Sequence, residues 1–203
     1  MAANEREAAS PQLPELAGKR FLFVVTGSIN AALTPFWFHW LRQTHTAISS
    51  HAIVTRSAQR FVTREALRHL VEGTVWTDDW DDPELPPSAH ISLDAEVDGY
   101  AVFPATIDFT MRLAAGASNT PASMALQITK KPIVLATAFP ESNEIIEAQL
   151  KALLRRPNVK LSGTVPAYSV GKGAWTGETG FYMPSVLEAM RNLIVVTEAC
   201  DAK

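Results

Sequence analysis

Two short turns carry the clearest chemistry in this chain. Thr26-Gly27-Ser28-Ile29-Asn30 sets two hydroxyls around a glycine directly after the apolar run Phe21-Leu-Phe-Val-Val25. A glycine lets backbone come close to a ligand, hydroxyls donate to phosphate oxygens, and a helix begun just beyond favours an anion. Thr55-Arg56-Ser57 adds two more hydroxyls and a cation after a second apolar run. Together the turns suit a monophosphate better than either does alone. Neither is a G-x-G-x-x-G turn or a P-loop with its lysine, so ATP use is not indicated. His90 closes an acidic stretch, and an imidazole there suits either a proton carrier or a surface group. Asp78, Asp79, Asp81 and Asp82 lack the alternating ligands and glycine turn of a metal loop, so they read as a solvated loop with no metal. His39, His45, His51 and His69 fall in helical or strand contexts and are assigned no chemistry, and Cys200 reads as an inert exposed thiol.

Alternating strands and helices must position these residues. Phe21–Val25, Ile48–Thr55, Tyr100–Phe103, Pro132–Ala136 and Val159–Leu161 read as strands, the first a run buried on both faces. Helices are predicted over Ala31–Gln43 with Pro35 in the first turn, Ser57–Glu72, Ile107–Ala115, 121–129, Asn143–Arg155, and from Pro184 onward. That rhythm means βαβ units and a parallel sheet, an α/β fold whose ligands bind beyond the strands' carboxyl ends. Residues 73–90 break the pattern with acids and prolines, and Trp76 and Trp80 within them suit cover over a neighbouring subunit. Thr164–Met183, with four glycines among Tyr168, Trp175, Phe181 and Tyr182, suits a mobile strand-turn-strand flap rather than core. Trp37, Phe36, Phe38 and Trp40 are more aromatic than a two-layer core requires; packing is the default, with a subunit contact or a ligand wall left open.

At 203 residues with 47% apolar and 19% charged, the chain reads as one domain over 19–200 behind a flexible tail over 1–18. A net charge of -3 argues against nucleic-acid binding, and no apolar run reaches the length of a membrane span. The N-terminus lacks the apolar core of a secretory signal, and one cysteine excludes an internal disulfide framework. A cytoplasmic location follows as the expectation.

Thr26 to Asn30, His90 and Pro104-Ala-Thr-Ile-Asp-Phe109 resemble the homo-oligomeric flavin-containing cysteine decarboxylases, over about residues 20–197. That family includes the peptidyl-cysteine decarboxylases of lantibiotic, linaridin and thioamide peptides, and phosphopantothenoylcysteine decarboxylase. Its marks are a T-x-S-I-like first turn, an active-site histidine, a P-A-S-A-N-T motif and a P-x-M-N-x-x-M-W motif. The first turn matches, and His90 precedes Pro104 by fourteen residues, the family's spacing. Pro104-Ala105-Thr106 keeps the second motif's start, while Asp108 replaces its asparagine and Phe109 its threonine. Gly116-Ala-Ser-Asn119 resembles the family's G-x-x-D-N, one residue shorter and with Ser118 for the aspartate. Pro140-Glu-Ser-Asn143 keeps only the proline and asparagine of the last motif, displaced by about three residues, with Ile146 and Glu147 for its Met-Trp pair.

The resemblance implies a three-layer flavodoxin-like (Rossmann-like) parallel sheet with helices on both faces, assembled as trimers or dodecamers with FMN at subunit interfaces. FAD stays open. It implies oxidative decarboxylation of the C-terminal cysteine of a ribosomally made precursor peptide to an enethiol. Thr26, Gly27, Ser28, Asn30, Thr55 and Ser57 would hold the phosphate end, and Pro104, Ala105, Thr106, Ala138, Phe139, Ser118 and Asn119 would contact flavin. Asn119 serves equally as a helix cap before Pro121. His90 would be the base; Asp108 would be the second catalytic residue, facing flavin or the substrate carboxylate in a protonated form or positioning flavin or His90, or would merely complement a helix dipole. Asn143 and Lys172 would meet the peptide. The absence of a cysteine between residues 164 and 183 favours the oxidative peptidyl branch over phosphopantothenoylcysteine decarboxylation. The eroded motifs keep a second class in view, a flavin-binding regulatory or partner subunit with little turnover.

Overall fold

A computed structural model describes residues 13–139, 141–169 and 172–201, with side chains as far as Thr197. Six parallel strands form one sheet: β1 Arg20–Val25, β2 Ser49–Val54, β3 Val75–Thr77, β4 Gly99–Ala105, β5 Ile133–Thr137 and β6 Val159–Leu161. Their spatial order is β3-β2-β1-β4-β5-β6, the doubly wound arrangement expected of the flavodoxin-like, Rossmann-like class. β1 sits centrally, Phe23 lying beside Ala52 of β2 and Ala101 of β4.

The alternation of β1 side chains decides the two cores. Phe21, Phe23 and Val25 face one helical layer, formed by α1 (Thr34–Thr44), α2 (Arg64–Arg68) and α7 (Met183–Asp201). Leu22 and Val24 face the other, formed by α3 (Ala89–Glu96), α4 (Ile107–Ala114), α5 (Pro121–Ile128) and α6 (Glu144–Leu153). Phe21, Phe23 and Phe103 are fully buried, each stabilising the fold by about 1.5–3 kcal/mol. Among the described residues no helix is long and apolar enough to cross a membrane.

Several elements differ from the sequence reading. A 3-10 turn, Ile29–Leu33, precedes α1, which starts at Thr34 with Pro35 in its first turn. The helix expected over Ser57–Glu72 is split into a 3-10 turn, Ala58–Arg60, and the short α2, because extended Thr63 intervenes and caps α2 by accepting from the Ala66 N–H. The stretch 73–90 holds β3, in which Val75 and Trp76 are buried. Residues 1–12 of the expected tail lie outside the described residues, while Pro14–Leu16 form a 3-10 turn with Leu16 in the core.

Residues 164–183 do form a hairpin, β7 Val165–Ser169 paired antiparallel with β8 Ala174–Thr179. Its exit is core, contrary to expectation: Phe181 stacks on Phe103 with ring centroids 4.1 Å apart, and Met183 is fully buried.

Candidate functional site

The crevice of a doubly wound sheet opens at the carboxyl ends of the strands where the winding reverses, here between β1 and β4. Thr26 and Thr106, the residues that follow those strands, meet there. The buried Thr26 hydroxyl donates to the Pro104 carbonyl at 2.6 Å, lies 3.1 Å from Thr106 Oγ1, and accepts from the Thr106 N–H at 3.2 Å. Thr55 works likewise for β2, donating to the Val25 carbonyl at 3.0 Å and accepting from the Ala58 N–H at 3.3 Å. Both threonines were expected to donate to phosphate. Each has one hydroxyl proton, and each already uses it to fasten neighbouring strands.

The serines are placed differently. Ser28 Oγ is buried and finds no hydrogen-bond partner among the described residues. Ser57 is exposed, its Oγ 3.3 Å from Thr55 Oγ1. Gly27 lets the two turns touch, since a Cβ there would lie 2.6 Å from Ser57 Cβ and Oγ and 2.7 Å from its carbonyl carbon. A buried hydroxyl without a partner costs about 1–3 kcal/mol, so this cradle fits an acceptor-rich group such as a phosphate monoester. The helix expected to begin beside it does so as the 3-10 turn Ile29–Leu33, with Ser28 at its N-cap, and becomes α-helical only at Thr34.

α3 runs back to the start of β4, so its first turn stands at the same edge of the sheet as the cradle. His90 lies in that turn, half-buried, with a buried Nδ1 that has no hydrogen-bond partner among the described residues. The Trp80 ring stands edge-on to it, centroids 6.1 Å apart at 77°. Trp80 Nε1 donates to the Asn119 carbonyl at 2.9 Å.

The acidic stretch is not a solvated loop at its ends. Asp78 is buried and accepts from the Ala122 N–H at 2.8 Å; burial pushes its carboxyl above the usual range despite that bond. Asp82 is also buried, which on its own would raise its carboxyl. The N–H groups of Thr77 and Glu84 and the Arg64 guanidinium outweigh that and hold it below the usual range. Trp76 is core rather than subunit cover, its Nε1 donating to the Glu84 carbonyl at 2.9 Å. Among the described residues no cluster of three or more potential ligands could hold a metal ion.

A cleft of about 450 Å³ opens between the end of β5 and the hairpin. Asn30, Ala138 and Phe139 line its sheet side, and Tyr168, Lys172 and Glu178 its hairpin side. Lys172 Nζ pairs with Glu141 Oε1 at 3.2 Å across the opening. The hairpin is anchored at Gly180, whose N–H donates to the Thr137 carbonyl at 2.7 Å and whose carbonyl accepts from Ser162 Oγ at 2.9 Å. A Cβ at Gly180 would meet Ser162 Oγ at 2.5 Å.

The structure brings Pro104 and Thr106 to the crevice, and Asn30, Ala138, Phe139 and Lys172 to the cleft. Ala105 is buried at the end of β4. Asp108 lies in the first turn of α4 with its side chain 77% exposed and paired to Arg112 at 2.9 Å, the dipole-complementing alternative. Asn143 caps α6, its Oδ1 accepting from the N–H groups of Ile145 and Ile146, so that oxygen is already engaged. Thr120, not Asn119, caps α5, and Ser118 beside it is exposed. Pro140 lies outside the described residues. Sequence reasoning gave Trp80 no part in the site and passed over Glu141. An indole among aspartates needs a partner for its N–H, which was the available signal.

The Flavoprotein family matches residues 9–176. The cypemycin cysteine dehydrogenase (decarboxylating) of a Streptomyces species is 44% identical over 169 residues, 83% of this chain and 88% of that protein. The coenzyme A biosynthesis bifunctional protein CoaBC of Vibrio cholerae is 28% identical over 94% of this chain, which spans only 50% of that protein's length. The crystal structure of the cypemycin decarboxylase CypD superposes with a TM-score of 0.79 at 39% identity, over 93% of this chain and 98% of that one. SpaF, an FMN-dependent cysteine decarboxylase, shares the fold with a TM-score of 0.72 at 22% identity, over 88% and 98%.

Proposed function

The chain belongs to the Flavoprotein family of the cysteine decarboxylases, and on that premise we propose that it is an FMN-dependent peptidyl-cysteine decarboxylase. Its substrate is the C-terminal cysteine of a ribosomally made precursor peptide, and its product is an enethiol on the way to an S-aminovinyl-cysteine. The observation that carries the reading is the buried, unpartnered Ser28 hydroxyl, in a turn whose Gly27 lies against Ser57, beside the point where the winding reverses.

Ser28 and Ser57 hold the FMN phosphate, while Thr26, Thr55 and Thr106 keep the strand ends that carry them in register. Pro104, Ala105 and Thr106 border the flavin from β4, Asn30, Ala138 and Phe139 from the cleft, and Ser118 and Asn119 from the segment before α5. Bound there, FMN would supply the two-electron oxidant for the cysteine side chain, leaving on the substrate a C=S group able to accept the electron pair as carbon dioxide departs. His90 takes the thiol proton; its half-buried ring and unpartnered Nδ1 support that role. The hairpin lies over the peptide tail and excludes water, and Lys172 turns from Glu141 to the terminal carboxylate. Asp108, tied to Arg112, supports α4.

Ile29, Leu33 and Phe36 are more than half exposed within one short stretch beside the cradle, which supports assembly of copies of this chain into a homo-oligomer. Incubation of the yellow protein with a peptide ending in cysteine tests the activity. Loss of carbon dioxide plus two hydrogens from the peptide is the expected result; a yellow protein that leaves the peptide unchanged overturns it in favour of a binding subunit.

A further inference from the structure

We infer that Trp80 is a positioning residue for His90, holding the imidazole in place from a loop that is itself fastened to the first turn of α5. This rests on the reading of His90 as the base. Trp80 is 45% exposed, so burial alone holds its ring weakly; the hydrogen bond from Nε1 to the Asn119 carbonyl fixes it.

The loop under it has little freedom. Asp78 ties it to the N–H of Ala122, and Asp82 ties it to Arg64 and to the N–H groups of Thr77 and Glu84. The indole therefore stands on a rigid base, edge-on to His90. A histidine that handles a proton usually has one ring nitrogen oriented by a carbonyl or carboxylate. Here no hydrogen bond orients Nδ1 among the described residues, and the Trp80 edge is the ring contact that takes its place.

The arrangement has a second consequence. Asn119 belongs to the segment assigned to the flavin, and its carbonyl holds the indole that holds His90. One side chain thus sets the distance between the base and the cofactor segment. A displacement of about 1 Å in such a constellation lowers turnover by as much as 100-fold.

The test compares Trp80→Phe, which keeps a ring edge but loses the N–H, with Trp80→Ala, which loses both. In the apoprotein, the carbon–proton resonances of the His90 ring shift in either variant, because the indole's ring current is lost in Trp80→Ala and replaced by that of an unanchored phenyl ring in Trp80→Phe, while those of exposed His39 and His69 stay in place. In the FMN-loaded enzyme, kcat falls about threefold in Trp80→Phe and tenfold or more in Trp80→Ala, with KM for the peptide within twofold. Added to His90→Asn, whose residual turnover is read by prolonged product accumulation, Trp80→Ala causes no further loss.

Unchanged kcat in Trp80→Ala, or a further loss in the double variant, overturns the positioning role. Unchanged turnover in His90→Asn instead overturns the reading of His90 as base, and the positioning inference with it. Should Trp80→Ala fail to fold, Trp80→Phe decides: unmoved His90 resonances with full kcat refute the inference.

Discussion

The two ends of the proposed site are built differently. At the cradle, Thr26 and Thr55 are buried and use their hydroxyls to fasten β1 to β4 and β2 to β1. At the cleft, Lys172 and Glu141 form an ion pair with side chains 64% and 79% exposed. The threonines under the cradle are part of the core and cannot relax without moving the sheet. The hairpin tip hangs on a contact worth about 0–1 kcal/mol. A rigid end suits a cofactor that stays; a loosely latched end suits a peptide that must enter and leave.

The largest expected effect is at the rigid end. Gly27→Val drives a branched side chain into Ser57, where even a Cβ has 2.6 Å, and FMN affinity falls tenfold or more by flavin fluorescence titration. Wild-type affinity would show that the cradle yields as readily as the hairpin. Next come the hydroxyls. Thr26→Val breaks the bonds to Pro104 and Thr106 and lowers apoprotein stability by about 1–3 kcal/mol in urea unfolding. Ser28→Ala removes an unpartnered hydroxyl, leaves the apoprotein as stable or more so, and weakens FMN about five- to tenfold. The opposite result at either position would exchange the structural and binding roles.

That division was not legible in the chain. β1, β4 and β5 announce themselves as apolar runs because both faces of each are buried, and the two hydroxyl turns follow directly from strand ends. Which hydroxyls are free depends on a pairing across 78 residues, Thr26 to Pro104, that no local pattern encodes. β3 was hidden because three residues at a sheet edge carry no period, and with it went the buried state of Asp78 and Asp82. The family spacing pointed to His90; the indole that meets it lies in a loop whose composition reads as solvated.

At the loose end the effects are smaller and fall on the substrate. Lys172→Ala leaves stability within about 0.5 kcal/mol but raises KM several-fold for a peptide with a free C-terminus. Glu141→Gln lowers KM, because the lysine no longer has a competing carboxylate. A peptide ending in an amide makes wild type and Lys172→Ala bind alike. If the ion pair is a structural tie like the threonines, Lys172→Ala lowers the unfolding midpoint instead.

The acidic loop repeats the contrast within five residues, and pH separates its ends. Asp82 has a native pKa below its unfolded value, held there by Arg64 and two N–H groups against the cost of burial. Its contribution is present above the ordinary carboxylate range and is lost as pH falls through the native value. Asp78 has a native pKa raised by burial, so its contribution is greatest below the ordinary range and is lost as pH rises through the native value. Asp82→Asn therefore destabilises the protein at neutral pH, by about 1–3 kcal/mol, and loses that effect in acid. Asp78→Asn keeps an oxygen for the Ala122 N–H, has no charge to bury, and costs least at neutral pH. Urea unfolding of both variants between about pH 3 and 7 should give difference curves of opposite slope; parallel curves would mean that burial does not distinguish the two carboxylates.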